Sequence, residues 1–353
     1  METLLQTLVG ARFSEERFAI IKTELIRGWQ NAALQTPYVR LFQEAQALLV
    51  QPYRSEAEKI AAAQDISFAD VLAFVPQMLE NLRIDALYHG NVQPEDARQM
   101  LAILTRYLHT DASMPLPGFG TVVKLPANTR IVQEVQIPHD DSAIVIYQQG
   151  ADDSIRTRAT ISLLATILRT PFYDTLRTEK QLGYIVNAGT LPILNVNGLV
   201  LYIESPVADP LVLEANIDAF LTEYSAALAA MDPAMFADIK DGLLNNMREP
   251  PRRLDALSSR YWSDIMIQET DTDTTLRMAD AIEALGQADI VAYYQRYIAD
   301  ASAGRLVARS AGRTMQEQFL AERNESPDTV ILDDGQSDYV PFKQTAEQYE
   351  FGL

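Results

Sequence analysis

At 353 residues and 39.4 kDa the chain has length for about two domains, and it needs no covalent staple to bury a core. It contains no Cys, which excludes a disulfide framework, a thiolate zinc site, an iron–sulfur cluster and a Cys nucleophile. With 48 acidic against 29 basic side chains, its net charge of −19 argues against nucleic-acid binding, which needs a basic face to displace counterions.

No apolar run approaches the roughly 20 residues of a membrane helix, and Glu2 stands where an export signal carries positive charge. The sequence therefore predicts no membrane partner and no export signal of its own. That leaves a cytoplasmic protein or a true start upstream of Met1.

In chain order, Phe13-Ser14-Glu15-Glu16 opens a helix with Ser14 as cap, and Phe18, Ile21, Leu25 and Trp29 follow at helical spacing. Further helices are predicted over 38–50, 56–64, 67–81 and 91–109, the last with Pro94 in its first turn. The breaker-rich Met114-Pro-Leu-Pro-Gly-Phe-Gly120 reads as a linker. Strands follow over 130–135 and 142–148, then a helix over 154–169. Thr170-Pro171 predicts a cap and an N1 proline starting a second helix, stopped by Gly183 at C′. Strands at 184–186 and 198–203 precede helices over 210–230, 233–247, 252–268 and 289–298, and a closing strand over 305–309. This order predicts an α+β fold, with helices on one face of a mostly antiparallel sheet. The acidic segment beyond Gly312 reads as a loosely docked tail.

Two blocks recur. Phe18-Ala-Ile-Ile-Lys22 returns as Phe236-Ala-Asp-Ile-Lys240, an offset of 218 residues from 18 to 236. Ala69-Asp70-Val71 with Phe74 returns as Ala288-Asp289-Ile290 with Tyr293, an offset of 219 from 69 to 288. Each later block then runs into a strand-like stretch, Ile84-Asp-Ala-Leu-Tyr88 and Arg305-Leu-Val-Ala-Arg309. One shared offset and one shared order predict a duplicated domain. The copies are unequal: about a hundred residues, with sheet-forming potential, precede Phe236, and seventeen precede Phe18. The expected division is a truncated repeat at 1–113, a linker at 114–121, a complete repeat at 122–314 and the tail at 315–353. A truncated repeat lacks partners for its apolar helix faces, so self-association, or docking onto the second domain, is expected.

Catalytic motifs are missing. His89, His109 and His139 form neither H-E-x-x-H nor H-x-x-E-H, and no G-x-S-x-G occurs, so no metal-binding or catalytic residue is assigned in this chain alone. The informative stretch is Phe172-Tyr-Asp-Thr-Leu-Arg177-Thr-Glu-Lys-Gln-Leu-Gly183-Tyr184-Ile-Val186. It fixes a guanidinium near a helix end and a phenol at the start of the next strand. Both are donors able to hold a carbonyl or an oxyanion. The plain alternative pairs Arg177 with Asp174 and packs Tyr184 in a core.

Leu176-Arg177-Thr178 with Gln181-Leu182-Gly183-Tyr184-Ile185-Val186 resembles the signature L-R-T-x-x-Q-L-G-Y-x-V of the C-terminal half of the insulinase/pitrilysin zinc metallopeptidases. The likeness extends to Phe18-to-Gln30, Ala86-Leu-Tyr-His-Gly-Asn91 and Tyr261-Trp262, but not to the tail. It implies four homologous α+β domains closing around a peptide chamber. Zinc and catalysis belong to the N-terminal half, which is absent here and is an implied partner. Arg177 and Tyr184 are implied to bind the substrate peptide backbone and to support the tetrahedral intermediate. Arg252 and Arg253 match the end of a basic, polyanion-binding stretch in some members, with Glu249 interrupting it; helix-start arginines in solvent are the plainer account. Bacterial relatives are often periplasmic. The alternative function is a stand-alone, non-peptidase scaffold of the same fold.

Overall fold

The computed structural model describes residues 2–10, 13–32, 34–80, 82–111, 120–266, 273–299, 304–323, 329–333 and 336–349. Six helices come first: α1 (Glu2–Val9), α2 (Glu15–Ala32), α3 (Pro37–Leu49), α4 (Glu56–Asp65), α5 (Phe68–Glu80) and α6 (Pro94–Tyr107), with the short strand β1 (Val50–Gln51) after α3. Then come β2 (Thr121–Val123), β3 (Arg130–Glu134), β4 (Ser142–Gln149), α7 (Ile155–Tyr173), β5 (Ile185–Ile193) and β6 (Val196–Ser205). Helices α8 (Pro210–Ala229), α9 (Pro233–Arg248), α10 (Leu254–Met266), α11 (Thr274–Glu283) and α12 (Gln287–Tyr293) lead to β7 (Arg305–Ser310). The chain closes with α13 (Gln316–Glu322), β8 (Thr329–Asp333), α14 (Gln336–Thr345) and β9 (Gln348–Tyr349). No described helix is long and apolar enough to cross a membrane. Most of the expected linker, residues 112–119, lies outside the described residues.

The fold is α+β. Six strands order as β5-β6-β4-β7-β3-β8; the first three pairings are antiparallel, while β3 lies parallel to both β7 and β8. The alternation of β4 explains the layering. Ile144 and Ile146 point into a core with α7, α8, α11 and α12, where Leu164, Leu168, Ile217, Ile282 and Ile290 are buried. Ala143 and Val145 point the other way, onto Leu41 of α3. The main helical layer thus occupies one face, and α3 covers the second, so all eight residues of β4 are buried.

Three local expectations are corrected. Thr170-Pro171 does not start a helix: α7 runs through Pro171 and continues as a π-helical segment, Asp174–Glu179. Stopping at Thr170 would displace Phe172 and Leu176, both fully buried. Each contributes about 1.5–3 kcal/mol, which offsets the roughly 3 kcal/mol cost of an interior proline. The stretch Ile84-to-Tyr88 forms no strand, and no described strand pairs with it, whereas its counterpart β7 is paired on both sides. The described part of the tail is packed, not loose. β8 joins the main sheet, Tyr349 of β9 pairs with Val122 of β2, and Phe319 and Tyr339 are buried. Sequence polarity misleads here because few apolar residues do the anchoring. α11 was also missed, its apolar face being only Met278, Ala279 and Ile282.

The repeated blocks carry the same contacts. Lys22 Nζ donates to the carbonyls of Gln64 (2.9 Å) and Ile66 (2.8 Å) at the end of α4. Lys240 Nζ donates to those of Glu283 (3.2 Å) and Leu285 (3.1 Å) at the end of α11. Each ammonium also sits over a ring one turn earlier, Phe18 or Phe236. Asp70 accepts from the Ser67 N–H and Asp289 from the Gly286 N–H, both at 2.8 Å, at the starts of α5 and α12. A cation on the last carbonyls of one helix and a carboxylate on the first amides of the next complement both dipoles.

Candidate functional site

Arg177 and Tyr184 flank one helix–strand corner. The helix closes with Lys180 N–H on the Thr175 carbonyl and Leu182 N–H on the Leu176 carbonyl, both at 3.0 Å. Gln181 takes the left-handed conformation (φ 54°) expected of Gly183. Gly183 serves another need: a Cβ there would lie 2.3 Å from the backbone oxygen of Glu204. The missing side chain lets the corner press against the end of β6, which sets Tyr184 beside Glu204.

The Tyr184 hydroxyl donates to Asp141 Oδ2 (2.9 Å) and to Glu204 Oε1. Glu204 is fully buried, and its Oε2 accepts from the Tyr38 N–H (3.1 Å) in the first turn of α3. A buried carboxylate here is thus satisfied by a phenol and a helix N-terminus. The Asp141 N–H in turn donates to His139 Nδ1 (3.0 Å). The phenol has one proton for two carboxylates. Its pKa is raised, first by partial burial, then by its hydrogen bonds to Glu204 and Asp141 and by their charge. It therefore stays protonated and is a donor. The ring is 43 % exposed, so the core packing considered above does not hold.

Arg177 is half-buried in the last turn of the π-helical segment, where a cation suits the helix end. Its guanidinium lies over the Tyr173 ring, 5.2 Å from the centroid. Among the described residues it has no carboxylate within salt-bridge distance, Asp174 included. Among the described residues the corner thus holds a guanidinium without a carboxylate partner and an exposed phenol.

The remaining candidates lie elsewhere. Arg252 pairs with Glu249 (2.8 Å) and Arg253 with Asp255 (2.6 Å), all largely in solvent. His89 bonds Ser258 (2.8 Å), His109 lies just beyond α6 with its carbonyl accepting from the Leu82 N–H (3.1 Å), and His139 meets Asp141. Among the described residues no group of three or more His, Asp or Glu could hold a metal ion, so the residues present do not fit zinc. Neither Glu204 nor Asp141 stands out as a site residue in the sequence. The available signal was a lone carboxylate closing an apolar strand, Leu199-Val-Leu-Tyr-Ile203-Glu204.

Residues 163–262 match the family PQQ synthase PqqF-like, C-terminal lobe domain 4. A nardilysin-like protein of Arabidopsis thaliana is 26 % identical over 95 % of the chain and 33 % of its own length. Insulin-degrading enzyme of Homo sapiens is 26 % identical over 85 % of the chain and 30 % of its own length. The chain is homologous to the C-terminal half of the insulinase-family (M16) peptidases. In fold it matches crystalline pitrilysin with a TM-score of 0.84 at 20 % identity, over 99 % of this chain and 37 % of that one. An M16 peptidase inactive domain from Pseudomonas fluorescens matches at 0.59 and 15 % identity, over 84 % and 70 %. The chain spans about a third of the length of the curated insulinase-family relatives it matches. Both the Arg177–Tyr184 corner and Glu204 fall within the matched segment.

Proposed function

We propose that this chain is the non-catalytic, substrate-binding C-terminal part of a zinc metalloendopeptidase that degrades peptides in a closed chamber. It would divide into a partial repeat at 1–113 and a complete one at 122–314. One observation carries the reading: within the segment that resembles the family signature, Arg177 has no carboxylate in salt-bridge distance among the described residues, and the exposed Tyr184 phenol follows at the next strand's edge. Arg177 supplies hydrogen bonds to a substrate carbonyl, and Tyr184 donates its proton toward an oxyanion as charge develops there. To do so the phenol exchanges its bond to Asp141 for one to substrate, while buried Glu204 holds the ring in register. Zinc, where the longer protein carries it, belongs to the half absent here, and no step passes through it in this chain. A polyanion at Arg252 and Arg253 would have to displace Glu249 and Asp255, which makes that site secondary.

In the full-length peptidase, Tyr184→Phe is expected to lower kcat by about a hundred- to a thousandfold, the range for loss of an oxyanion donor. The urea midpoint of the variant should move little. An unchanged kcat with unchanged folding overturns the assignment. Intact-mass analysis of the native protein decides between this reading and a stand-alone scaffold: a species near 39 kDa favours the scaffold.

A further inference from the structure

Away from the Arg177–Tyr184 corner, a cavity of about 500 Å³ opens between α3, the start of α4 and α14. Trp29, Tyr53, Ile60, Tyr339 and Val340 make its apolar wall. Size and lining are those of a small-molecule pocket, in which apolar surface holds the ligand and a few charged groups orient it. Lys343 of α14 lines the cavity and is only 8 % exposed. Its Nζ donates to the Val50 carbonyl (2.7 Å) and lies over the Tyr53 ring, 5.9 Å from the centroid. Among the described residues no carboxylate comes within salt-bridge distance of it, and Glu58 acts on it only from farther away. An ammonium has three protons to donate, so two are left over.

The carboxylates of the wall are already taken. Glu44 holds Arg40 (3.0 Å), Glu56 holds Lys59 (3.6 Å), and Glu58 accepts from the Ser55 N–H (2.9 Å) at the cap of α4. Arg54, an exposed residue of the lining, has no carboxylate partner among the described residues. Burial without a counter-ion disfavours the charged amine and lowers its pKa to about 8, so at neutral pH it is still an ammonium. We infer that this cavity binds a small organic carboxylate with an aromatic or aliphatic arm. The carboxylate meets the Lys343 ammonium and the Arg54 guanidinium, and the arm lies against Trp29, Tyr53, Ile60 and Val340. A phosphate or a polyanion fits less well, because its larger negative charge would be repelled by Glu44, Glu56 and Glu58. Such a group is carried by a free carboxylic acid or by the C-terminal end of a peptide with an apolar last residue.

The probe is hydrocinnamate, titrated into the full chain by calorimetry at neutral pH. Saturable one-to-one binding is expected, with hydrocinnamyl alcohol, which has the same arm and no charge, binding roughly tenfold more weakly or worse. Lys343→Met should weaken binding of the acid by about tenfold or more, the effect of removing one partner of a buried charge pair, and leave the alcohol unchanged. Circular dichroism checks that this variant folds. Arg54→Gln, at an exposed position, folds in any case and should weaken the acid by about two- to fivefold, as for an exposed pair. Affinity for the acid should fall as pH rises past about 8, where the folded amine loses its proton. An acetylated tripeptide ending in phenylalanine, with its terminus free or amidated, identifies the source. Tighter binding of the free-acid peptide than of hydrocinnamate points to a peptide end, and the reverse to a free acid. No saturable binding of either acid, equal binding of acid and alcohol, or an affinity for the acid untouched by both variants overturns the inference.

Discussion

The blocks built on α2 and α9 begin with the same five-residue pattern and place the same lysine on the end of a following helix, yet one is bare and the other buried. Local instructions are therefore equal in the two places. What differs in this structure is the sheet and α7, which pack on the block of α9 and not, among the described residues, on that of α2. A helix pair can hold its geometry through a lysine clamp and paired caps, while its net stability comes from what its apolar face meets.

The sharpest way to break this contrast is to remove the same side chain from both copies. Phe236→Ala should cost about 3–5 kcal/mol, the range for a buried Phe, and Phe18→Ala about 1 kcal/mol or less. Urea unfolding measures both, and equal losses would end the comparison. Glycines give the next contrast. Gly183→Ala drives a Cβ into the Glu204 carbonyl and should destabilise by about 1–3 kcal/mol. Gly28→Ala in α2 meets nothing within 4 Å and should stabilise by about 0.5–1 kcal/mol.

The corner itself yields a titration. Tyr184 has its pKa raised when folded, so the folded state keeps a proton that the unfolded chain loses near pH 10. Stability is full below about pH 10 and falls as pH rises beyond it. Glu204→Gln removes one of the causes and should lower the Tyr184 transition in an ultraviolet phenolate titration; an unmoved transition would deny Glu204 its role. The smallest effect is of opposite sign. Burial lowers Lys343 to about 8 in the folded chain, against an ordinary value near 10.5. Its contribution is complete above the unfolded pKa and is lost as pH falls toward about 8, so stability rises over that interval. Lys343→Met should flatten that slope in thermal melts across the interval.

Part of the candidate site is legible in the sequence. Arg177 and Tyr184 stand out as donors on either side of a turn, and the resemblance gives them roles. Glu204 and Asp141 were not legible, because a carboxylate at a strand end reads as solvent-facing until the fold buries it. Gly183 reads from the sequence as the C′ stop, but Gln181 takes that left-handed position, and Gly183 is needed for another reason. Its need arises from β6, a strand that no local rule connects to it. Pro171 was misread for the same cause, since the burial of Phe172 and Leu176 outweighs a proline only once the core exists.

By itself the sequence determined the α+β class, the repeat at an offset of 218–219 and the Arg177–Tyr184 pair, because periodicity, spacing and residue chemistry are local quantities. The tertiary structure decided which copy is buried, where the tail goes, and which carboxylates meet the phenol. Those outcomes depend on contacts between residues far apart in the chain, as when Tyr38, Asp141, Tyr184 and Glu204 converge on one corner.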